Sequence, residues 1–505
     1  VAGDLPWLAL YKAQARQAMG DTERALQYLD NAEHWNACCG ELRSESMAKV
    51  LRTSVYVEIG RAPANRFIEQ AAERLSAFPC RHGLLLRRQA LMRIHLLESI
   101  SGEVMEQTPE SEARLAALWK QWETDGAPGS IELHGGRIRS ILDRSMAAFT
   151  GRDAPPGARK CDLPRHITLV RMTQARLAVL MGRWQDGKAL LEDVKARLAL
   201  LNVHPDRDPP FSIDWNRLMA HVLRAEGKYK EALDRADQIE RYAGDDVGSF
   251  EVRWSARMAR AQALLGLGEE RRSEALAALQ GAQDILEEAS RSAPQFLGRG
   301  PLLGRFEWGM RLFLEQQLRI DETGAVRANK QEKLDALRLI RHGRTRGLRE
   351  LRTLERLRNL SPSEKQSWDQ AVSAYLAARN EGDLAFKPAK RVEALEEGAR
   401  KRLAQALQVL SENEIPSTQR PPGAGEVFLA CHPLRRRWVC LAADAEDVNA
   451  VTLDASDFGL PRPQLAQKLL SPFEAQLTRA QRVFVFSYGL MRNVAVHLLP
   501  FEGKT

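Results

Sequence analysis

The sequence predicts a mostly α protein: stacked helical pairs over residues 1–325, a helical junction over 326–413, a linker over 414–425, and the N-terminal part of a layered α/β domain over 426–505. Three observations carry that reading. From residue 5 to about 412, Leu, Ala, Arg, Glu and Gln dominate and runs of β-branched residues are absent. Within that stretch a short pattern of a small residue, a glycine and Ala-Leu recurs at long intervals. After the Pro/Gly-rich "EIPSTQRPPGAGE" (414–426), the apolar pattern changes from helical to extended.

The bulk numbers set the frame. A chain of 505 residues exceeds one hydrophobic core, so two to four domains are expected. Apolar residues at 44% and charged residues at 28% are ordinary for a globular protein. No apolar run approaches the ~18 residues of a membrane span, and no signal-peptide pattern is present, so a cytoplasmic protein without membrane contact is expected. A start at Val1 rather than Met is what a piece of a longer product, or a processed one, gives.

The repeats come first. "KAQARQAMGDTERALQYLDNAE" (12–33), "QARLAVLMGRWQDGKALLEDV" (174–194), "LMAHVLRAEGKYKEALDRADQI" (218–239) and "MARAQALLGLGEERRSEALAAL" (258–279) share the pattern, and "RTSVYVEIGRAPANRFIEQAAERL" (52–75) is a weaker copy. Each predicts two antiparallel helices joined by a tight turn. The turn needs positive φ, hence Gly20, Gly60, Gly182, Gly227 and Gly268. Ala13, Ala25, Ala175, Ala220 and Ala232 fall where paired helices approach, and Leu29 and Leu191 fill space between units. One pair cannot bury its apolar face alone, so pairs must stack. Six or seven pairs are expected, some irregular. The pattern breaks between Glu103 and Arg165, where "TDGAPGSIELHGG" (124–136) and "GRDAPPGARKCDLP" (151–164) read as loops. Trp7, Trp184, Trp215, Trp254 and Trp308 are expected to pack between helices.

These units resemble the tetratricopeptide (TPR) family, with "AEGKYKEALDRA" (225–236) the nearest match. The turn glycines are 40 (Gly20 to Gly60), 45 (Gly182 to Gly227) and 41 (Gly227 to Gly268) residues apart. That is longer than the family period of about 34. The resemblance implies a solenoid whose concave surface binds a protein partner.

The junction changes character. "KLDALRLIRHGRTRGLRELRTLERLR" (333–358) has no repeat turn and sets eight Arg between Arg338 and Arg358 against Glu350 and Glu355. No aromatic residue interleaves the Arg, so a solvated helix face is expected there, with nucleic acid an alternative at Arg338–Arg358 alone. "SPSEKQSWDQAVSAYLAARNEG" (361–382) opens on a capping box, which makes Ser361 and Ser363 a helix start rather than nucleophiles. "AKRVEALEEGARKRLAQALQVLSEN" (389–413) is a further charged helix.

Beyond the linker, "EVFLACHP" (426–433), "RWVCLAAD" (437–444) and "VNAVTL" (448–453) read as three strands, the first two joined by a short basic turn. A helix over roughly Pro463 to Arg479 and a fourth strand, Val483–Phe486, follow. Val483-Phe484-Val485-Phe486 is continuously apolar, the mark of a parallel strand buried on both faces. Eighty residues do not complete such a layered sheet, so another segment or a second chain is expected to pack on strand 483–486.

The order of these segments resembles the TPR–CHAT family, in which a caspase- and separase-related domain follows a TPR array. "LRLIRHGRTRGLRELR" (337–352) looks like a helix of that family, and "VFVFSYGLMRNVAVHLLPFEG" (483–503) looks like its strand, Gly-Leu turn and Leu-Pro-Phe segment. Ser487-Tyr488-Gly489 departs from the family's Pro-Asp-Gly, and extra residues precede Leu499-Pro500-Phe501. The resemblance implies a cysteine endopeptidase with a His/Cys dyad, switched on by a partner, in a setting of bacterial defence. The family's His and Cys follow the Leu-Pro-Phe segment, outside this chain. No catalytic, cofactor-binding or metal-ligating residue is therefore assigned within it.

Cys38, Cys39, Cys80, Cys161, Cys431 and Cys440 show no C-x-x-C or His spacing of a zinc site, and are read as reduced thiols without a disulfide framework. Cys431 and His432 are strand neighbours that point to opposite faces. A dyad from Cys440 and His497 is set aside in favour of buried cysteines and a turn histidine. Two further readings stand beside the peptidase: a non-catalytic TPR scaffold whose α/β segment caps the array, and a TPR-rich transcriptional regulator. The regulator would need a helix-turn-helix, and none is visible.

Overall fold

A computed structural model describes residues 5–18, 22–39, 79–101, 131–150, 164–201, 209–243, 250–292, 306–341, 360–370, 420–486 and 494–501, with single positions between them at 44, 47–49, 51–52, 55, 203, 373–374 and 491. The protein is mostly helical with one small mixed sheet. It divides into two compact units, 1–289 with 293–313, and 290–292 with 314–505.

The first unit carries α1 (Leu5–Ala18), α2 (Thr22–Cys39), α3 (Pro79–Ser101), α4 (Ile131–Thr150), α5 (Pro164–Leu180), α6 (Trp184–Leu200), α7 (Pro209–Ala225), α8 (Tyr229–Ala243), α9 (Phe250–Leu267) and α10 (Arg272–Ser292). Helices pair as α1/α2, α3/α4, α5/α6 and α7/α8, and the first helices α3, α5, α7 and α9 touch one another in succession. Of the expected turn glycines, Gly182, Gly227 and Gly268 have positive φ, and Gly20 and Gly60 lie outside the described residues. At Gly182 (φ +70°) the amide of Arg183 donates to Ala178 O (2.8 Å) and that of Gly182 to Val179 O (3.0 Å). Gly227 (φ +75°) repeats it, with Lys228 N to Leu223 O at 2.8 Å and Gly227 N to Arg224 O at 2.9 Å. Both close the preceding helix in a left-handed cap that residues with a Cβ adopt only under strain.

One core runs from pair to pair. Val179, Leu191, Trp215, Val222, Ala232 and Ala263 share a cluster, so helices α5 to α9 are joined across units. The small residues expected at close approaches, among them Ala13, Ala25, Ala175, Ala220 and Ala232, are buried. The tryptophans pack as expected. Trp215 is buried and donates its Nε1–H to Leu191 O (3.1 Å), and Trp254 stands edge-on to Phe306 (4.7 Å) and Trp308 (5.1 Å). Trp7 and Trp184 line core clusters.

Residues 131–136, expected in a loop, are the first turns of α4. Gly135 is there for space: a Cβ at this position would stand 2.8 Å from Met181 Cε. Two helices meet at that contact, and a glycine needed for closeness looks in sequence like a glycine needed for a turn.

The second unit holds α11 (Glu307–Gln317, from residue 314 on), α12 (330–341), α13 (362–370), β1 (Glu426–Pro433), β2 (Trp438–Ala443), β3 (Val448–Leu453), α14 (Arg462–Leu469), α15 (Glu474–Arg479) and β4 (Arg482–Phe486). At the start of α13, Ser361 Oγ and the Ser361 amide both bond Glu364 Oε2 (2.6 and 2.9 Å), the capping box the sequence announces. Its neighbours 389–413 and 342–358 lie outside the described residues. The single helix expected from Pro463 to Arg479 is broken: α14 ends at Leu469, a 3-10 turn covers Ser471–Phe473, and α15 follows. Pro472, inside that turn, has no N–H for a continuous helix.

The sheet has the order β3-β2-β1-β4. β1 pairs antiparallel with β2, in a register that sets Cys431 opposite Cys440, and parallel with β4, in a register that sets Phe428 beside Phe484. One face packs Val427, Leu429, Trp438 and Ala442 on Leu465, Leu469, Phe473 and Leu477 from the crossover between β3 and β4. On the other face, Phe428, Ala430, Val439, Leu441 and Ala443 are also buried. Residues 315–327 are tied to the same sheet: Arg435 grips Glu315 through its amide (2.8 Å) and Nε (2.6 Å), and Thr452 Oγ1 donates to Gly324 O (2.8 Å).

Candidate functional site

The first place to look is the Cys and His residues of the sheet. Cys431 and Cys440 are joined in a disulfide, Cα to Cα 4.1 Å, both wholly buried. Cys80 is disulfide-bonded as well. The expectation of reduced thiols is thereby corrected. The bridged pair lies 9 residues apart across a hairpin, and the antiparallel register places the two side chains on one face, directly opposite. Spacing read as a one-dimensional motif hides that register. A sulfur in a disulfide is no nucleophile, so Cys440 offers no thiol to His497. His497 is exposed in a short 3-10 turn, Val496–Leu498. His432 points to the face opposite Cys431, buried, with Nδ1–H donating to Pro433 O (2.7 Å). Among the described residues no group of three or more His, Cys, Asp or Glu could hold a metal ion.

The second place is β4. The continuous apolar run is a strand, and it is parallel to β1, as the sequence implies. Burial on both faces is where the structure departs. Val483, Phe484 and Val485 remain 44, 39 and 36% exposed. The strands sealed on both faces are β1 and β2, which occupy the middle of the sheet, while β4 is its edge. β4 is anchored at its start, where the amides of Gln481 and Arg482 both donate to Gly425 O (2.7 and 3.0 Å). Gly425 has φ +72°, the turn that aims β1 into register.

The two faces of β4 differ. Phe484 and Phe486 lean edge-on against Phe428, with ring centres at 5.5 and 5.6 Å. The Arg341 guanidinium from α12 lies over Phe428 (4.4 Å) and Phe486 (5.4 Å), and its Nη1 donates to Arg420 O (2.9 Å). Burial, with Arg420 and Arg338 nearby, pulls the Arg341 pKa below its ordinary value. Val483 and Val485 project to the other face, that of Val427 and Leu429, and stay exposed beyond its core. The site is thus a short apolar strand with a backbone edge, exposed at Val483, Phe484 and Val485 and half-buried at Phe486, able to add a strand in the manner of sheet augmentation.

In the first unit the residues that gather charge are Arg87, Arg88 and Glu98 of α3 and Arg165, His166 and Arg176 of α5. Arg176 is buried and held two-pronged by Glu98 (2.6 and 2.5 Å). Burial would lower its pKa, and the Glu98 pair, with Asp214 and Glu251 beyond, holds it above the ordinary value. Sequence reasoning missed this cluster. Its only trace was Arg87-Arg88 inside an otherwise apolar helix pattern.

No family model matches the chain, and no curated protein matches it at a significant level. Among the described residues no helix is long and apolar enough to cross a membrane.

Proposed function

We propose that this chain is the partner-binding and regulatory portion of a caspase-like cysteine endopeptidase of the TPR–CHAT type, with the His/Cys dyad outside the chain. The observation that carries the reading is β4: apolar, parallel to β1, and open at the sheet edge. A parallel edge with exposed Val483, Phe484 and Val485 calls for a further strand, from the rest of the peptidase domain or from a second chain. The order of helical pairs, β hairpin, third strand, crossover and parallel strand is the order the resemblance implies. The stacked first helices then receive an activating protein, and the sheet carries the change to the catalytic half.

The test is the reading frame that encodes the chain, followed by labelling of its product with a thiol-directed peptidyl probe. A His and a Cys, each after a strand and C-terminal to Leu499-Pro500-Phe501, with labelling lost on Cys→Ala, support the reading. A frame without that pair sinks it. The second reading is a non-catalytic scaffold capped by the sheet; with Cys431 and Cys440 bonded, the sheet itself offers no thiol for chemistry. Stable partner capture with no cleavage and no labelling would select it. A cytoplasmic setting belongs to the first reading. Buried disulfides are uncommon there, so mass spectrometry of protein alkylated at lysis decides between setting and bond.

A further inference from the structure

We propose that α3 and α5 form an anion-binding groove for an acidic, carboxylate-bearing segment of a protein partner, centred on Arg87 and Arg88. This rests on the reading of the helical pairs as a partner surface and names the chemistry of what binds.

Arg176 of α5 and Glu98 of α3 form a complete two-pronged ion pair. Three helical turns earlier on the same side of α3, Arg87 reaches the same helix α5 and finds no carboxylate. Its Nε donates to Leu169 O (3.2 Å) and Thr173 Oγ1 (3.2 Å), which fixes the guanidinium. Among the described residues its two Nη groups meet no acceptor, and Arg88 makes no hydrogen bond or ion pair at all. His166 lies near Arg87, with a buried Nδ1 that has no hydrogen-bond partner and a ring packed on Phe149 (5.4 Å). Arg165 completes the group, its guanidinium over the Phe211 ring (5.6 Å).

These groups feel one another. Burial and then Arg88 bring the Arg87 pKa down to about 10, against the pull of Asp214. Burial lowers Arg88 also, and burial with Arg87 and Arg165 lowers His166. Asp214 is already bonded to Arg217 (3.3 Å), so it offsets the cluster only in part. One guanidinium fixed through its Nε with both Nη groups unengaged, and a second, unpaired one next to it in the chain, both partly dehydrated, constitute a receptor for planar oxyanions. A carboxylate placed there does for Arg87 what Glu98 does for Arg176.

The experiment uses the full chain and a fluorescein-labelled Glu/Ala peptide of twelve residues, read by anisotropy in 0.15 M salt. Competitors are inorganic phosphate and a single-stranded oligonucleotide of equal charge. The Arg87→Gln/Arg88→Gln variant is expected to bind at least tenfold more weakly. Lys195→Gln/Lys230→Gln, on α6 and α8, should change affinity less than twofold. Circular dichroism confirms the fold, and Arg87→Lys/Arg88→Lys, which keeps charge but loses the fork, should fall between and serves if the Gln pair misfolds. Any of four results overturns the proposal: no binding by the parent chain, equal loss in both charge variants, displacement by phosphate at equal concentration, or tighter Arg87-dependent binding of the oligonucleotide. Loss of this binding leaves the thiol-labelling result untouched, and failure of that labelling leaves Arg87-dependent capture standing, so the two readings fail separately.

Discussion

β1 and β4 lie side by side, parallel and in register, and their paired stretches are apolar after a charged first residue, Val-Phe-Leu-Ala in β1 and Val-Phe-Val-Phe in β4. Leu429 of β1 is 0% exposed; its partner Val485 is 36% exposed. Composition and direction are shared, so neither causes the difference. Position does: β1 has β2 on one side and β4 on the other, whereas β4 has β1 alone among the described residues. A continuous apolar run therefore reports a strand, and its place in the sheet decides how much of that run is buried.

The largest test of that contrast is truncation of the two partners. Leu429→Ala should destabilise by about 2–5 kcal/mol, because it opens a cavity in a sealed layer. Val485→Ala should cost less, about 1 kcal/mol, because about a third of its surface stays in water and fewer carbons are removed. Urea unfolding of the two variants reads the gap directly. Equal losses would mean that β4 is covered in solution, and the contrast would break.

Much of this was legible in the sequence. All four strands were visible, and β1 and β3 match to the residue, because period and β-branched content change sharply after the linker. The turn glycines Gly182, Gly227 and Gly268 were visible because positive φ leaves few alternatives. Three things were not. The edge position of β4 depends on pairing between strands 56 residues apart, Glu426 to Arg482, and no local pattern encodes it. The Cys431–Cys440 bond depends on hairpin register. Arg87 carries no motif in the sequence, and its contact with Leu169 and Thr173 of α5 depends on how two helices 82 residues apart pack.

A second test sharpens what covers the end of β4 at Phe486. Arg341 bridges Phe428 and Phe486, so Arg341→Ala should cost about 1–2 kcal/mol through lost stacking and stem packing. Arg341→Lys should recover only part, since an ammonium cannot lie flat on two rings. Thermal melts with Phe486→Leu as the second arm of a double-mutant cycle measure the coupling. A third, smaller effect concerns the open edge: Val485→Lys should cost no more than about 1 kcal/mol and reduce self-association, a charge being the usual guard of an open edge. Light scattering against concentration checks it; unchanged association would show that the edge is not the adhesive surface.

The smallest effect lies at the shared entrance of the two strands. Glu426 opens β1 beside Arg482 of β4, and its Oε2 accepts from Arg420 (2.5 Å) and from the Gly423 amide (2.8 Å). The Arg420 hydrogen bond first, then that of Gly423, hold the Glu426 pKa below its ordinary 4.5. A carboxylate depressed in the folded state binds its proton more readily when unfolded, so its stabilisation is full above the ordinary value and is lost as pH falls through the folded one. The melting temperature of the parent chain should therefore approach that of Glu426→Gln as pH drops below about 4.5, and exceed it at neutral pH. The pair is open to solvent, so the gap is small and narrows further at 1 M salt. Because Glu426 fixes the turn through Gly423 from which β1 departs, the same variant should loosen β1 and β4 together. Faster amide exchange at Val483 and Val485 alone, with Val427 unchanged, would show that the edge strand is held by its own side chains and not by the entrance it shares with β1.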